Sequence, residues 1–234
     1  MKAVILAAGL GERLRPLTEN TPKCLLDYNG RTFLNYHIKI LNKLGIKDIT
    51  IVIGYCSEKI KHATDNTLKY IYNANYRNNG TLDSLALAKQ EFNEDVILIN
   101  SDVLFTEKNL MRIIENNEEI CLGIDTSSDQ KDSTNVKISE GGISDMGFLD
   151  SGSVSGSYCG VARFSQSTGE MLKEILSDMV ENKRSYIFHL IKSLIKRGKK
   201  IGYVECNKNS WCEIDTHEDM KNNLEVIGRL LEAV

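Results

Sequence analysis

The chain has 234 residues, 41% of them hydrophobic and 26% charged, the makeup of a globular protein rather than a disordered or fibrous one. With 29 Lys and Arg against 32 Asp and Glu the net charge is −3, so no broad positive field exists to hold a nucleic-acid backbone. No apolar run approaches the roughly 20 residues of a membrane-spanning helix, and residues 3–6 are too short an apolar start for a secretory signal, so the expectation is a single domain, 1–234, in the cytoplasm.

Lys2 to Ala7 is a continuous apolar run that stops at Gly9 and Gly11, the pattern of a buried parallel strand entering a glycine-rich loop. Leu34, Ile38, Leu41 and Leu44 then recur at helical spacing, and Gly45 ends them. Residues 48–53 read as a second strand, 57–64 as a short helix and 69–72 as a third strand. A polar loop, 73–80, leads to a helix over 81–92, and 96–99 is a further apolar run closed by Ser101 and Asp102. A helix over 107–116 and a strand over 120–124 complete an alternation that predicts an α/β fold, a Rossmann-like sheet, mixed and mostly parallel, covered on both faces.

From 125 to 160 Ser, Gly and Asp are dense and the apolar runs shrink, which predicts antiparallel strands and loops. Helices over 167–180 and 186–197 follow, then a strand over 201–205, a short apolar segment 211–214, and a last helix capped by Thr216 and Asp219. The six cysteines are scattered without a Cys-x-x-Cys pair and are expected to be free, mostly buried thiols.

The segment after the first strand reads Leu6-Ala-Ala-Gly-Leu-Gly-Glu-Arg13-Leu-Arg15-Pro-Leu-Thr18, and Pro22-Lys23 closes it. Ligands of open α/β sheets bind beyond the carboxyl ends of the strands. Gly9 and Gly11 let backbone N–H groups approach an anion, Arg13 offers a planar fork and Lys23 a point charge. Leu14 stands where a dinucleotide fingerprint needs its third glycine, and no Gly-Lys-Ser/Thr of a P-loop occurs. For the glycines alone a tight turn is the alternative; the accompanying Arg13, Pro22 and Lys23 favour phosphate. Asp102 and Asp215 both close apolar runs and, with phosphates and water, suit Mg²⁺, a solvated turn or helix cap being the alternative for each. His37, His62, His189 and His217 have no matched second ligand and are read as structural.

These residues resemble the signature of the sugar-phosphate nucleotidyltransferases, which join an NTP to a phosphorylated acceptor and release pyrophosphate; the related molybdopterin-type enzymes, with Arg-Met-Gly after the glycines, fit less well. The likeness continues through Gly54-Tyr55, Asn78-Asn79-Gly80-Thr81 with Ser84, Asn100-Ser101-Asp102, and Trp211-Cys-Glu-Ile-Asp215-Thr-x-Glu-Asp219. The resemblance implies a nucleotide on Leu6, Ala7, Ala8, Gly9, Gly11, Glu12, Arg13, Lys23, Gly54, Tyr55, Asn78, Asn79, Gly80, Thr81, Ser84 and Ser101. It makes Lys23 and Arg13 the catalytic cations and Asp102 and Asp215 the Mg²⁺ ligands. By family position the acceptor meets Lys137, the loop 151–157, Tyr158, Gly160, Arg163, Tyr186 and Glu213, an exposed strand lysine being an equal reading of Lys137.

Within the superfamily the short length, Asn-Asn-Gly-Thr and Glu-Ile-Asp-Thr resemble the small bacterial cytidylyltransferases, those acting on choline phosphate and, more closely, those acting on phosphoglutamine in capsule phosphoramidate synthesis. The implied partners are CTP and a small phosphorylated metabolite, phosphoglutamine first, with choline phosphate or a sugar 1-phosphate used with UTP or dTTP as alternatives, and a homodimer is allowed. The division implied is a nucleotide core over 1–125, an acceptor part over 126–200, and a metal-ligand strand with the C-terminal helix over 201–234. Between 126 and 185 only Phe148, Tyr158 and Phe164 are aromatic, too few for a cage around a quaternary ammonium, which counts against choline. A catalytically silent nucleotide-binding subunit is the reading from another class; the joint presence of Arg13, Lys23, Asp102 and Asp215 argues against it.

Overall fold

The uninterrupted apolar runs become the inner strands of one sheet in the computed structural model, which describes residues 1–64, 68–78, 80–127, 134–179, 185–207 and 209–233. β1 (Lys2–Ala7) lies at the middle, with β2 (Ile49–Ile53) and β3 (Lys69–Tyr72) on one side and β4 (Val96–Asn100) on the other, all parallel. A three-residue β5 (Val103–Phe105) leaves this sheet after Asp102. β6 (Ile120–Asp125) is separated from β4 by an antiparallel strand, and the hairpin of β7 (Asn135–Ser139) and β8 (Gly142–Gly147) leads into that strand, β9 (Gly156–Phe164). β10 (Gly202–Glu205) pairs parallel with β6, so the order is β10-β6-β9-β4-β1-β2-β3, and β11 (Trp211–Glu213) pairs with β5 outside it. The sheet is mixed and mostly parallel, with β9 the reversed strand of that order and β8, on its edge hairpin, running the same way as β9.

Successive side chains of β1 point to opposite faces. Ala3, Ile5 and Ala7 join a core with α1 (Phe33–Lys43), α2 (Ser57–Ala63), α4 (Glu107–Ile114) and α8 (Leu224–Glu232). Val4 and Leu6 join a second core with α3 (Thr81–Leu87), α5 (Gly169–Met179) and α6 (Ile187–Lys196). Two helices expected as single pieces are divided. The one over 81–92 ends at Leu87 and continues as a 3-10 turn, Lys89–Asn93, and the last breaks at Asn223 into α7 (His217–Asn222) and α8. All six cysteines are free, and Cys56 alone is not buried. Among the described residues no helix is long and apolar enough to cross a membrane.

This order places a topological switch point at β1. The chain moves from β1 to β2 and β3 in one direction and returns to β4 on the other side, so a crevice opens beyond the carboxyl ends of β1 and β4.

Candidate functional site

The loop leaving β1 is shaped by its own residues. Gly11 has φ 62°, and a Cβ there would meet Thr18 Cγ2 at 3.1 Å, so the tight passage beside Thr18 requires glycine. The Thr18 hydroxyl donates to the Gly11 carbonyl at 2.6 Å, and the Tyr55 hydroxyl donates to the Thr18 carbonyl at 2.9 Å. Pro22 precedes a 3-10 turn, Lys23–Leu25, that buries Cys24 and turns Lys23 back toward the sheet edge.

The two aspartates are brought together by a device the sequence does not announce. The Ser101 N–H donates to the Leu6 carbonyl at 3.1 Å, continuing the β1–β4 ladder, after which Asp102 turns the chain into β5. β11 pairs antiparallel with β5, Glu213 opposite Val103, and the Ile214 N–H donates to the Asp102 carbonyl at 3.0 Å. Asp215 therefore follows β11 at the point where Asp102 precedes β5. Trp211 anchors the ribbon, its indole N–H donating to the buried Asp125 carboxylate at 2.9 Å.

Lys23 Nζ lies 2.5 Å from an Asp102 oxygen and donates also to Asp215 Oδ1, while Arg13 donates to Asp215 Oδ2 at 2.6 Å. Burial works against the Lys23 charge, but Asp102 and Asp215 together raise its pKa above the ordinary lysine value. Burial likewise opposes the Asp215 charge, and Lys23 with Arg13 holds that carboxyl below its ordinary value. The helix-cap alternative for Asp215 is excluded by its neighbour. Asp219 accepts from the Asp215 N–H at 3.0 Å and the Thr216 N–H at 2.7 Å, completing the α7 capping box and leaving the Asp215 side chain to the cations.

Glu213 joins the pair: one carboxylate oxygen from each of Asp102, Glu213 and Asp215 lies within 4.8 Å of the others. Burial first, then Asp102 and Asp215, pushes its pKa up to about 8. Asp102 Oδ1 is buried without a hydrogen-bond partner. An all-oxygen set with one orphaned ligand atom fits a hard divalent cation such as Mg²⁺.

A cleft of about 260 Å³ opens above Lys23 and Asp102, with Glu213 and Asp215 outside its lining. Of the expected nucleotide residues, Leu6, Ala7, Ala8, Gly9, Gly11, Lys23, Gly80, Thr81, Ser84 and Ser101 line it, and so does the expected metal ligand Asp102. Arg13 stands beside it through Asp215. Others do not line it. Glu12 is exposed and faces Arg15 at 3.9 Å, and Asn78 is exposed on a turn. Asn79 lies outside the described residues. Tyr55 secures the loop, and Gly54 makes room for Tyr76, whose Cβ would be 2.7 Å from a Cβ at position 54.

The expected acceptor residues fare differently. Tyr186 lines the cleft. Arg163 is placed at the opposite end of the sheet, because reversed β9 pairs it with Ile97 and Cys121 near the starts of β4 and β6. There its guanidinium donates to the carbonyls of Asn116, at 2.9 Å, and Glu118. Gly160, with φ 73°, is a packing position; a Cβ there would lie 2.6 Å from Val103 Cγ1. Tyr158 is buried outside the cleft lining, its hydroxyl without a hydrogen-bond partner, and Lys137 is exposed on β7, also outside the lining. In the 151–157 loop Ser155 and Ser157 bond to the β7 segment through Ile138 N–H and Asn135.

Besides Cys24, which lines the cleft, three residues in or around it escaped sequence reasoning. Tyr76 lines it, and buried Asn73 donates to the Ser84 hydroxyl at 3.0 Å; both sit in a polar loop that offers no periodicity. The third is Phe188. Tyr186 stacks on Phe188 at 5.5 Å, and Phe148, 67% exposed, meets their rings edge-on at 5.9 and 5.4 Å. The aromatic count that stopped at 185 missed two of these rings, so the argument against a choline-like acceptor does not hold.

Residues 3–123 match the family model described as the MobA-like NTP transferase domain. The chain belongs to this nucleotidyltransferase family. The description is that of the relatives whose glycine-loop spacing fits less well, and the matched span carries the loop, Lys23 and Asp102. Over 96% of this chain and the whole of its relative, the sequence is 26% identical to the CTP:phosphoglutamine cytidylyltransferase of Campylobacter jejuni. The solved CTP:phosphocholine cytidylyltransferase from Streptococcus pneumoniae superposes with a TM-score of 0.82 at 28% identity, covering 97% of this chain and 98% of that one. The inositol-1-phosphate CTP transferase from T. maritima shares the fold, with a TM-score of 0.83 at 22% identity, covering 100% of this chain and 97% of that one.

Proposed function

We propose that this nucleotidyltransferase moves a cytidylyl group from CTP to a small phosphorylated acceptor, phosphoglutamine first, and releases pyrophosphate. The observation that carries this reading is the Lys23 ammonium held between Asp102 and Asp215 at the β1/β4 crevice. Similarity along the whole length of a CTP:phosphoglutamine cytidylyltransferase supports the choice of substrates.

The triphosphate lies along residues 9–23. A Cβ at Gly9 would touch nothing in the protein, so the fold leaves that backbone open to the cleft. The nucleoside lies toward Tyr76, Thr81 and Ser84, and the acceptor approaches past Tyr186. The division of labour follows: a nucleotide core over 1–125, acceptor contacts drawn from 126–200, and the second metal-binding carboxylate supplied by 201–234.

An acceptor phosphate has a second pKa of about 6 and is already a nucleophilic anion at neutral pH. Its oxygen attacks the α-phosphorus in line, the bond from that phosphorus to the bridging oxygen breaks, and the electron pair leaves with pyrophosphate. No general base is needed. Lys23 neutralises charge at the α-phosphoryl group and Arg13 holds the leaving group, so both cations exchange carboxylate for phosphate oxygens as the nucleotide enters. Asp102, Asp215 and Glu213 are the residues that would hold Mg²⁺, which when bound stabilises phosphoryl charge.

A second reading, choline phosphate as acceptor, is favoured by the Phe148, Tyr186 and Phe188 rings, since aromatic faces attract a quaternary ammonium. Pyrophosphate release measured for four NTPs against phosphoglutamine, phosphocholine and glucose 1-phosphate, with Mg²⁺ and with EDTA, separates the readings. The expected result is turnover with CTP and phosphoglutamine above all other pairs and none in EDTA. Preference for phosphocholine selects the second reading, and turnover with no pair contradicts both.

A further inference from the structure

The nucleotide wall and the acceptor wall of the cleft belong to elements about 100 residues apart, and one buried carboxylate joins them. Asp83, on the first turn of α3, is 8% exposed. Its Oδ2 accepts from the Gly80 N–H at 2.6 Å and from the Ser185 N–H at 3.3 Å. In return the Leu82 N–H donates to the Ser185 carbonyl at 2.9 Å. The approach is close enough that a Cβ on Gly80 would lie 2.2 Å from that carbonyl oxygen, so position 80 has no space for a side chain. On the far side of Ser185, the Tyr186 N–H donates to His189 Nδ1 at 3.0 Å, and the Tyr186 ring stacks on Phe188.

We infer that Asp83 is a positioning residue that sets the acceptor-facing Tyr186 in register with Thr81 and Ser84 on the nucleotide side. The inference rests on the proposed assignment of those walls. Two backbone donors from separate segments converge on one oxygen, and the Ser185–Leu82 bond fixes their relative height. Nucleotide settling against Thr81 and Ser84 therefore steadies Tyr186 through Asp83, and acceptor affinity depends on that link more than nucleotide affinity does.

The test combines steady-state kinetics with amide hydrogen exchange. Asp83→Ala is expected to raise the acceptor KM by about tenfold or more while the CTP KM stays within about twofold, and Asp83→Asn, whose amide oxygen can accept from both N–H groups, is expected to recover most of the loss. In exchange experiments CTP slows the amides of 185–188 in the wild type but not in Asp83→Ala. Should the alanine variant not fold, Asp83→Ser, with an oxygen too short to reach both donors, replaces it. Equal changes in both KM values, a change in kcat alone, or CTP protection of 185–188 that survives the substitution would overturn the inference. Wild-type protein that shows neither turnover nor CTP protection at 80–84 sinks the functional reading instead. The Asp83 link is then still read from the ligand-free amides of Gly80 and Ser185, whose unchanged exchange in the variant contradicts it.

Discussion

At Lys23 two effects of opposite sign meet: burial disfavours the ammonium, and two carboxylates favour it more strongly. Replacing it with Met leaves Asp102 and Asp215 facing each other without that counter-ion. Lys23→Met is predicted to lower kcat by about 10²–10³, as loss of a preorganised charge stabiliser does. It is also predicted to enlarge the rise in thermal midpoint on adding Mg²⁺, because the ion no longer competes with the ammonium. A calorimetric Mg²⁺ shift no larger than the wild type's contradicts the arrangement. His37 poses a separate residue-scale question. It is fully buried, its Nε2–H donates to the Val103 carbonyl at 2.7 Å, and Nδ1 has no hydrogen-bond partner. Burial lowers its pKa from 6.5 to about 4. The unfolded chain therefore binds the proton first as pH falls. The stability due to neutral His37 is complete above about pH 6.5 and is lost down to about pH 4, on the order of 3 kcal/mol in all. Denaturant titrations at pH 7 and 4.5 check this, and the His37-dependent part of the loss vanishes in His37→Gln if the assignment is right.

The element that matters most is the ribbon of β5 and β11, which delivers Asp215 to Asp102. Its Trp211–Asp125 bond is buried at both ends. Trp211→Phe removes the donor and is predicted to cost about 1–3 kcal/mol of unfolding free energy and to weaken divalent-ion binding with it. Wild-type stability in urea would contradict the anchoring role. The ribbon also shows what the sequence could and could not convey. The glycine loop, the α7 capping box and the ends of most parallel strands follow local rules, and residues 69–72 and 81–87 form where propensity and periodicity place them. β5 does not, because Val103–Phe105 is three apolar residues whose partner lies far along the chain. Arg163 was misplaced for a related reason: β9 runs backwards, and chain position near Gly160 says nothing about which end of the sheet a residue reaches. The acceptor wall was only partly legible, since Phe148 meets Tyr186 and Phe188 through the packing of α6 on β8.

Across the whole molecule, the switch at β1 explains why a chain of net charge −3 can receive a polyanion. The strand ends gather Arg13 and Lys23 on one loop, with carboxylates neutralising them until phosphates arrive, so no large positive surface is required. The two faces are packed by separate sets of helices, and the cleft lies where their sheet edge meets the ribbon. The most direct measurement of this account is pyrophosphate release from CTP and phosphoglutamine at saturating Mg²⁺ by the wild type, Asp102→Asn and Asp215→Asn. The account predicts turnover by the wild type that EDTA abolishes, and at least about a hundredfold loss in each folded variant. Turnover indifferent to EDTA, or retained at the wild-type level by either variant, would contradict it.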